Sequence, residues 1–329
     1  GALLLTKQLA RISQTTSSSI STIVIFRTYS STPIEFLRAA VERGALLLTK
    51  LTMTADAKAE AKDALKRLLI EHNGDGKHEQ EVEKALDTLI ELATNERGDG
   101  DWEPAQDMAL NVGRWRSVTD HPFPGKLPDH GDGKTRWTLG RMSFGMFAPT
   151  KAVCVIEDII NVVEPVGEKE EGVEKNAESW KCTYTNDVSI VIETPAIKIP
   201  TKLVNNGVCY PQSSVRMGVE FSSGTLQPAF DMSKPENESL AEAWKELFDG
   251  AIAKEAEQKS YLAAIGGWAM GKMLYMMMGL EPPVDTSEFT QTYQIRRPYV
   301  GWVDTLYIDH NLRVTRGNKG TLVVVERME

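Results

Sequence analysis

The sequence predicts a mainly β (α+β) protein, built as an antiparallel β-barrel with an N-terminal helical hairpin and a helical insertion before its last strands. From residue 102 onward, short runs rich in β-branched and aromatic residues alternate with turn formers. No helical segments are interleaved between these runs, as βαβ units would require. Two amphipathic helical patterns precede them. A chain of 329 residues is long enough to bury a full core plus appendages.

The helical hairpin is predicted within residues 51–98. Residues 56–71 repeat apolar side chains at helical spacing, and the turn formers Asn73-Gly74-Asp75-Gly76 end that pattern. Residues 79–93 form a second amphipathic pattern. Because neither short helix can bury its apolar face alone, we expect both to cover another surface.

The barrel is predicted within residues 99–329. Its earlier strands are read from runs of strand-forming residues bounded by turns, at residues 113–118, 136–139, 152–163, 180–185, 188–194, 198–204 and 215–221. With a meander at the C-terminus, the count is eight to ten strands. That number is enough to close a barrel of lipocalin size.

The C-terminal meander is the clearest part of the pattern. Residues 302–308 are rich in aromatic and β-branched residues. Asp309-His310-Asn311 predicts a turn, because short polar side chains can bond their own backbone. Residues 312–316 alternate apolar and polar side chains, and Gly317 and Gly320 predict a tight hairpin, since glycine adopts positive φ angles readily. Residues 321–326 then pair back.

The N-terminal 50 residues are of a different kind. Residues 1–34 contain three basic residues, no acidic residue and thirteen Ser or Thr, a composition typical of an organellar transit peptide; a disordered tail is the alternative. The heptad at residues 1–7 recurs identically at 44–50. Since a structural repeat would extend further, this recurrence suggests a gene-model artefact, and the missing initiator Met suggests a fragment.

A helical insertion is predicted at about residues 236–283. Residues 236–259 form a charged amphipathic helical pattern, and Tyr261 to Leu280 have Lys272 as their only charge and include five Met. Three alternatives stay open for this Met-rich segment. It is a buried helix, a membrane span, or a lid or docking helix, because thioethers adapt to varied lipid or protein surfaces.

Composition and motifs exclude several function classes. The net charge is −9, and because residues 1–34 are basic the remainder is more acidic still, which disfavours binding to nucleic acid. Cys154, Cys182 and Cys209 are interpreted as buried free thiols of a reducing compartment. We find no metal-ligand spacing, no nucleophile elbow and no phosphate loop. The sequence therefore predicts no catalytic residue, metal or cofactor.

One motif is specific enough to indicate a family. Tyr307-Ile308-Asp309, followed by Leu312-Arg313-Val314 and Arg316-Gly317, resembles the C-terminal signature of the plastid-lipid-associated (fibrillin) proteins. Weaker resemblances lie at residues 110–115, 158–163 and 215–221. After Trp115 the chain departs from the usual apolar run of that family.

The resemblance implies a non-catalytic plastid protein that binds or coats a hydrophobic lipid, such as a prenylquinone, a carotenoid or an acyl lipid. The expected locations are chloroplast plastoglobules or thylakoid membranes, where it would lie at a membrane or lipid-droplet surface. Two alternatives stay open: a scaffold subunit of a photosynthetic membrane complex, with a protein partner docked on the Met-rich segment, and an enzyme of plastid isoprenoid or lipid metabolism.

Candidate ligand contacts are few. Trp115, Trp302 and Tyr307 are candidates to line a barrel interior, and Arg313 and Arg316 to hold an anionic head group. Two explanations of the charged residues stay open. Asp304, Asp309 and the arginines form ion pairs and turn caps that close the barrel, with Gly317 and Gly320 shaping the hairpin, or one arginine stays unpaired at the barrel mouth to bind a phosphate or carboxylate.

Overall fold

Eight antiparallel strands close into a ring in the computed structural model. The chain is described from residue 56 to 329 except at residues 72–78, 98–101, 119–122, 124–125, 129–130, 144, 167–179, 256–279, 287–288, 299 and 319. Around the ring the order of pairing is β1 (Gly113–Ser117), β3 (Val153–Pro165), β4 (Cys182–Glu193), β5 (Lys198–Pro211), β6 (Arg216–Pro228), β9 (Val300–Ile308), β10 (Leu312–Gly317), β11 (Leu322–Arg327) and back to β1. The predicted fold class is confirmed.

Three further strands extend the ring. Strand β2 (Trp137–Thr138) pairs with the first residues of β3. Strand β8 (Gln291–Ile295) continues beyond β9 along the same edge of β6, and β7 (Leu280–Asp285) pairs outside β8. The two long strands β4 and β5 pair without interruption over twelve positions, which makes that wall of the ring regular.

Helices cover the outside of the ring and one of its ends. The helices are α1 (residues 56–71), α2 (Glu79–Arg97), α3 (Met108–Asn111), α4 (Leu139–Met142), α5 (Glu238–Phe248) and α6 (residues 251–255). Leu65 of α1 and Leu86 and Leu89 of α2 pack with Tyr307 and Val314 on the outer face of the C-terminal meander. The expectation that the two hairpin helices cover another surface is therefore confirmed.

The inward face of the ring carries three apolar regions, one of them formed by Trp115, Ile308 and Val325 where the ring closes. At one end, Trp244 and Phe248 of α5 pack with Ile190, Leu203 and further apolar side chains of β3 to β6. The other end is smaller and is built around Val163, Cys182, Cys209 and Met217. Between them the inward face becomes polar, and this change locates the candidate site described below.

Several element boundaries differ from the prediction. Residues 180–185 and 188–194 belong to one strand, β4, because Asn186 and Asp187 continue the ladder with β5. The sequence analysis did not predict strand β8. The predicted insertion to residue 283 ends earlier, since β7 begins at Leu280; Pro282 and Pro283 fit there because a register shift interrupts its pairing and β7 is an edge strand. Residues 261–279 of the Met-rich segment, like the predicted transit peptide, lie outside the described residues.

The three cysteines are free and buried, as predicted. Burial raises the pKa of Cys154 and of Cys209 to about 12 and also raises that of Cys182. The thiols therefore stay protonated and act as small apolar side chains of the inward face.

Packing of the hairpin on the meander is testable by truncating one side chain. Leu89 is fully buried, so we expect Leu89→Ala to lower the free energy of unfolding by about 2–5 kcal/mol, measured by urea denaturation. The control is Glu91→Ala on the exposed side of α2. We expect this substitution to change the free energy of unfolding by less than about 0.5 kcal/mol. Equal effects of the two substitutions would contradict the packing of α2 on the meander.

Candidate ligand-binding site

Trp115 anchors the inward face where the ring closes. Its side chain is fully buried, and its indole N–H donates to the backbone oxygen of Asn111, 3.0 Å away, because α3 ends just before β1. Two guanidinium groups lie over the indole: the Cζ atoms of Arg313 and Arg327 are 4.7 Å and 4.2 Å from the ring centroid. Such cation–π contacts are strongest where water is excluded.

The two arginines differ in their hydrogen bonds. Arg327 donates to the backbone oxygens of His310, Val112 and Leu110, each at 2.6 Å. Arg313 is only 4% exposed, and its Nε and Nη1 have no hydrogen-bond partner among the described residues. Burial lowers the pKa of Arg313 from its ordinary value. An arginine nevertheless stays charged in a protein.

Polar side chains lie on neighbouring strands of the same inward face. The amide oxygen of Asn161 accepts hydrogen bonds from the Tyr184 hydroxyl at 2.6 Å and from the side-chain amide of Asn186 at 2.9 Å. Burial raises the pKa of Tyr184 to about 12, although the positive charge of Arg313 acts in the opposite direction. Tyr184 is therefore a neutral hydrogen-bond donor at physiological pH.

Apolar walls flank this polar group. The ring of Tyr184 packs edge-on against Phe221, with centroids 5.7 Å apart, and Val219 and Val303 pack against the buried cysteines and Met217. Phe221, Val219 and Tyr184 are only half-buried although they share a face with fully buried side chains. The described part of the interior thus combines apolar walls, neutral polar groups and one buried cation.

The predicted contacts do not all face this interior. Trp115 and Arg313 do. Trp302 lies on the outer face beneath the guanidinium group of Arg216, whose Cζ is 3.7 Å from the ring centroid. Tyr307 packs toward the hairpin helices, and Arg316 reaches Glu83 of α2 at 2.5 and 2.7 Å. Contact with a ligand stays a prediction for all five residues. Two of them, Trp115 and Arg313, lie together on the inward face.

The aspartates bind partners from outside the meander. Asp304 accepts two hydrogen bonds from Arg216 of β6, at 2.7 and 2.9 Å. Asp309 forms an ion pair with Lys62 of α1. The expected ion pairs and turn cap are present, but the meander's own arginines are not the partners of its aspartates.

Asp309 also holds the turn between β9 and β10. It accepts hydrogen bonds from the backbone N–H groups of Asn311 and Leu312, each at 2.9 Å, and from the Tyr307 hydroxyl at 2.6 Å. Burial alone would raise the pKa of Asp309. These hydrogen bonds and the Lys62 ammonium outweigh burial and lower the pKa of Asp309 to about 2. In the next hairpin Gly320 has a φ of 82°, whereas Gly317 does not have a positive φ.

Sequence reasoning missed Asn161, Tyr184, Asn186 and Arg327. One signal was present in β3, where Asn161 stands at the alternation positions of the buried Ile159 and Val163. A polar residue in such an apolar series predicts a buried hydrogen-bond network. Tyr184 and Asn186 come close to Asn161 because β4 pairs with β3, in a register that the sequence does not predict, and Arg327 reaches Trp115 because β11 pairs with β1 where the ring closes.

Other kinds of site are not found in the described segments. They hold no cluster of three or more His, Cys, Asp or Glu side chains placed to bind a metal ion. None of their helices combines the length and apolar character that a membrane span requires.

Among known protein families, one matches the C-terminal strands of this chain. The family model PAP_fibrillin matches residues 281–326, the segment from β7 into β11 that holds the predicted motif. The match confirms the resemblance over these residues. Searches of the curated proteins and of the solved structures each found no significant match.

The role of Asp309 is testable by its pH dependence. Since its folded pKa of about 2 lies below the ordinary 3.8, its stabilising contribution is complete above about pH 4 and is lost as the pH falls through 2. We expect the stability difference between the unmodified protein and Asp309→Asn, measured by urea unfolding, to shrink between about pH 4 and 2. Asp87→Asn on the exposed side of α2 controls for loss of a negative charge. A difference that stays constant over this range would contradict the assignment.

Proposed function

We propose that this protein binds a hydrophobic lipid non-catalytically in a plastid, with part of the lipid held inside the strand ring. One observation carries the proposal: apolar and aromatic side chains of the inward face, Phe221, Val219 and Tyr184, stay half-buried beside fully buried neighbours. Transfer of hydrocarbon from water to such a surface is favourable by about 25 cal/mol per Å². The family match over residues 281–326 supports a lipid as the ligand.

The candidate ligands are a prenylquinone, a carotenoid and an acyl lipid, and the candidate locations are plastoglobules and thylakoid membranes. Each ligand has a long hydrocarbon portion that apolar walls would shield, while polar groups of the interior orient one end. The Met-rich segment at residues 261–279 is proposed as the contact with the lipid surface, because its flexible thioether side chains adapt to irregular acyl chains.

Binding is tested by native mass spectrometry of protein isolated gently from plastids, followed by lipid extraction of the bound fraction. We expect a hydrophobic molecule at a fixed stoichiometry. Val219→Trp, which fills space on the inward face, should reduce its recovery, whereas Thr183→Trp on the exposed side of β4 should not. Recovery of ligand-free protein from every preparation would contradict the proposal and favour a scaffold with a filled interior.

Attachment to lipid surfaces is tested separately by flotation on a density gradient with plastoglobules. Deleting residues 261–279 removes no residue of a described strand, and we expect the deletion to abolish flotation. A second variant replaces the five Met of the segment with Ser. This change removes the thioethers but keeps the length, so we expect it also to reduce flotation. Unchanged flotation of the deletion variant would refute the surface role of this segment.

A further inference from the structure

We infer that the interior site around Arg313 binds the anionic head group, a carboxylate or a phosphate, of an amphipathic lipid. This inference deepens the proposed function, on which it rests, because it narrows the ligand class. Neutral carotenoids and prenylquinones lack the charge that this site would recognise. Acidic lipids have that charge at one end of a hydrocarbon chain.

The charge of Arg313 is buried inside the ring. A buried charge without a counter-ion is costly, and burial of charged groups is normally offset by an ion pair or by hydrogen bonds. No carboxylate of the described residues forms an ion pair with Arg313, and two of its nitrogens lack hydrogen-bond partners there. A bound anion would supply both the missing charge and the missing acceptors.

Other arginines of this fold have the partners that Arg313 lacks. Arg216 and Arg316 each bind a carboxylate on the outer face, and Arg136 binds Asp132 and Glu193. Arg327, on the same indole as Arg313, is satisfied by three backbone oxygens. Arg313 differs from all of these arginines, although it is the most deeply buried among them.

A neutral polar group shares the inward face with Arg313. The hydrogen bonds from Tyr184 and Asn186 both use the Asn161 oxygen, so neither Tyr184 nor Asn186 engages its N–H groups. They are further donors on the inward face. Apolar Val219, Val303 and Phe221 then provide a surface for the hydrocarbon chain. The interior therefore offers N–H donors at the polar position and apolar side chains beside it.

The charge requirement is tested by binding of the fluorescent polyene cis-parinaric acid and of its uncharged methyl ester. We expect the unmodified protein to bind the acid about tenfold to a hundredfold more tightly, the range that charge-assisted hydrogen bonds supply. Arg313→Met keeps much of the side-chain volume and should abolish this preference, while Arg313→Lys should retain part of it. Arg216→Met, which removes an outer-face arginine, is the matched control and should leave the preference unchanged.

Competition identifies the head group. Dodecanoate, dodecyl phosphate and dodecanol are each titrated against bound cis-parinaric acid, and we expect one or both anions to displace it at lower concentration than dodecanol does. Equal binding of acid and ester by the unmodified protein would overturn this inference and leave the proposed function standing. Failure of both cis-parinaric acid and its methyl ester to bind would overturn this inference and the proposed function together.

Discussion

The closure of the ring depends on β1, a strand of five residues that pairs with β3 on one side and β11 on the other. Without it the sheet would have two open edges, and edges with unpaired backbone groups are a liability. Trp115 at its centre is fully buried and is contacted by Arg313 and Arg327 from the C-terminal meander. One indole therefore joins the two ends of the sheet and places a buried cation inside the ring.

The hairpin helices stabilise this closure from outside. The apolar faces of α1 and α2 cover the meander, and ion pairs join Lys62 to Asp309, Lys66 to Glu326 and Glu83 to Arg316. The last two pairs are partly exposed, so each contributes at most about 1 kcal/mol. Burial of leucine side chains is the larger effect, since each contributes about 1.5–3 kcal/mol. The ion pairs instead fix which residues of helix and strand face each other.

The fold class and the meander followed from local patterns. Alternation along β10 placed Leu312 and Val314 on one face and Arg313 on the other, and the structure has the first two against the helices and Arg313 over Trp115. Strand β8 escaped prediction because Gln291 to Gln294 are mostly polar. The position of Arg313 beside this polar group could not be predicted, since Asn161 and Tyr184 lie on the paired strands β3 and β4, whereas β10 reaches them only through β11 and β1 where the ring closes.

Cross-linking between β1 and β11 tests ring closure most directly. Arg116 and Glu326 are exposed register partners, and the Cα atoms of directly opposite residues in antiparallel strands are about 4.5–5.5 Å apart, within the range of about 4.4–6.8 Å that a disulfide spans. In the Arg116→Cys/Glu326→Cys variant we expect rapid disulfide formation under mild oxidation, while the three natural thiols stay buried. The pair Arg114→Cys/Glu326→Cys, two residues out of register, should react much more slowly. Equal rates for the two pairs, or no disulfide in either, would contradict the closed ring.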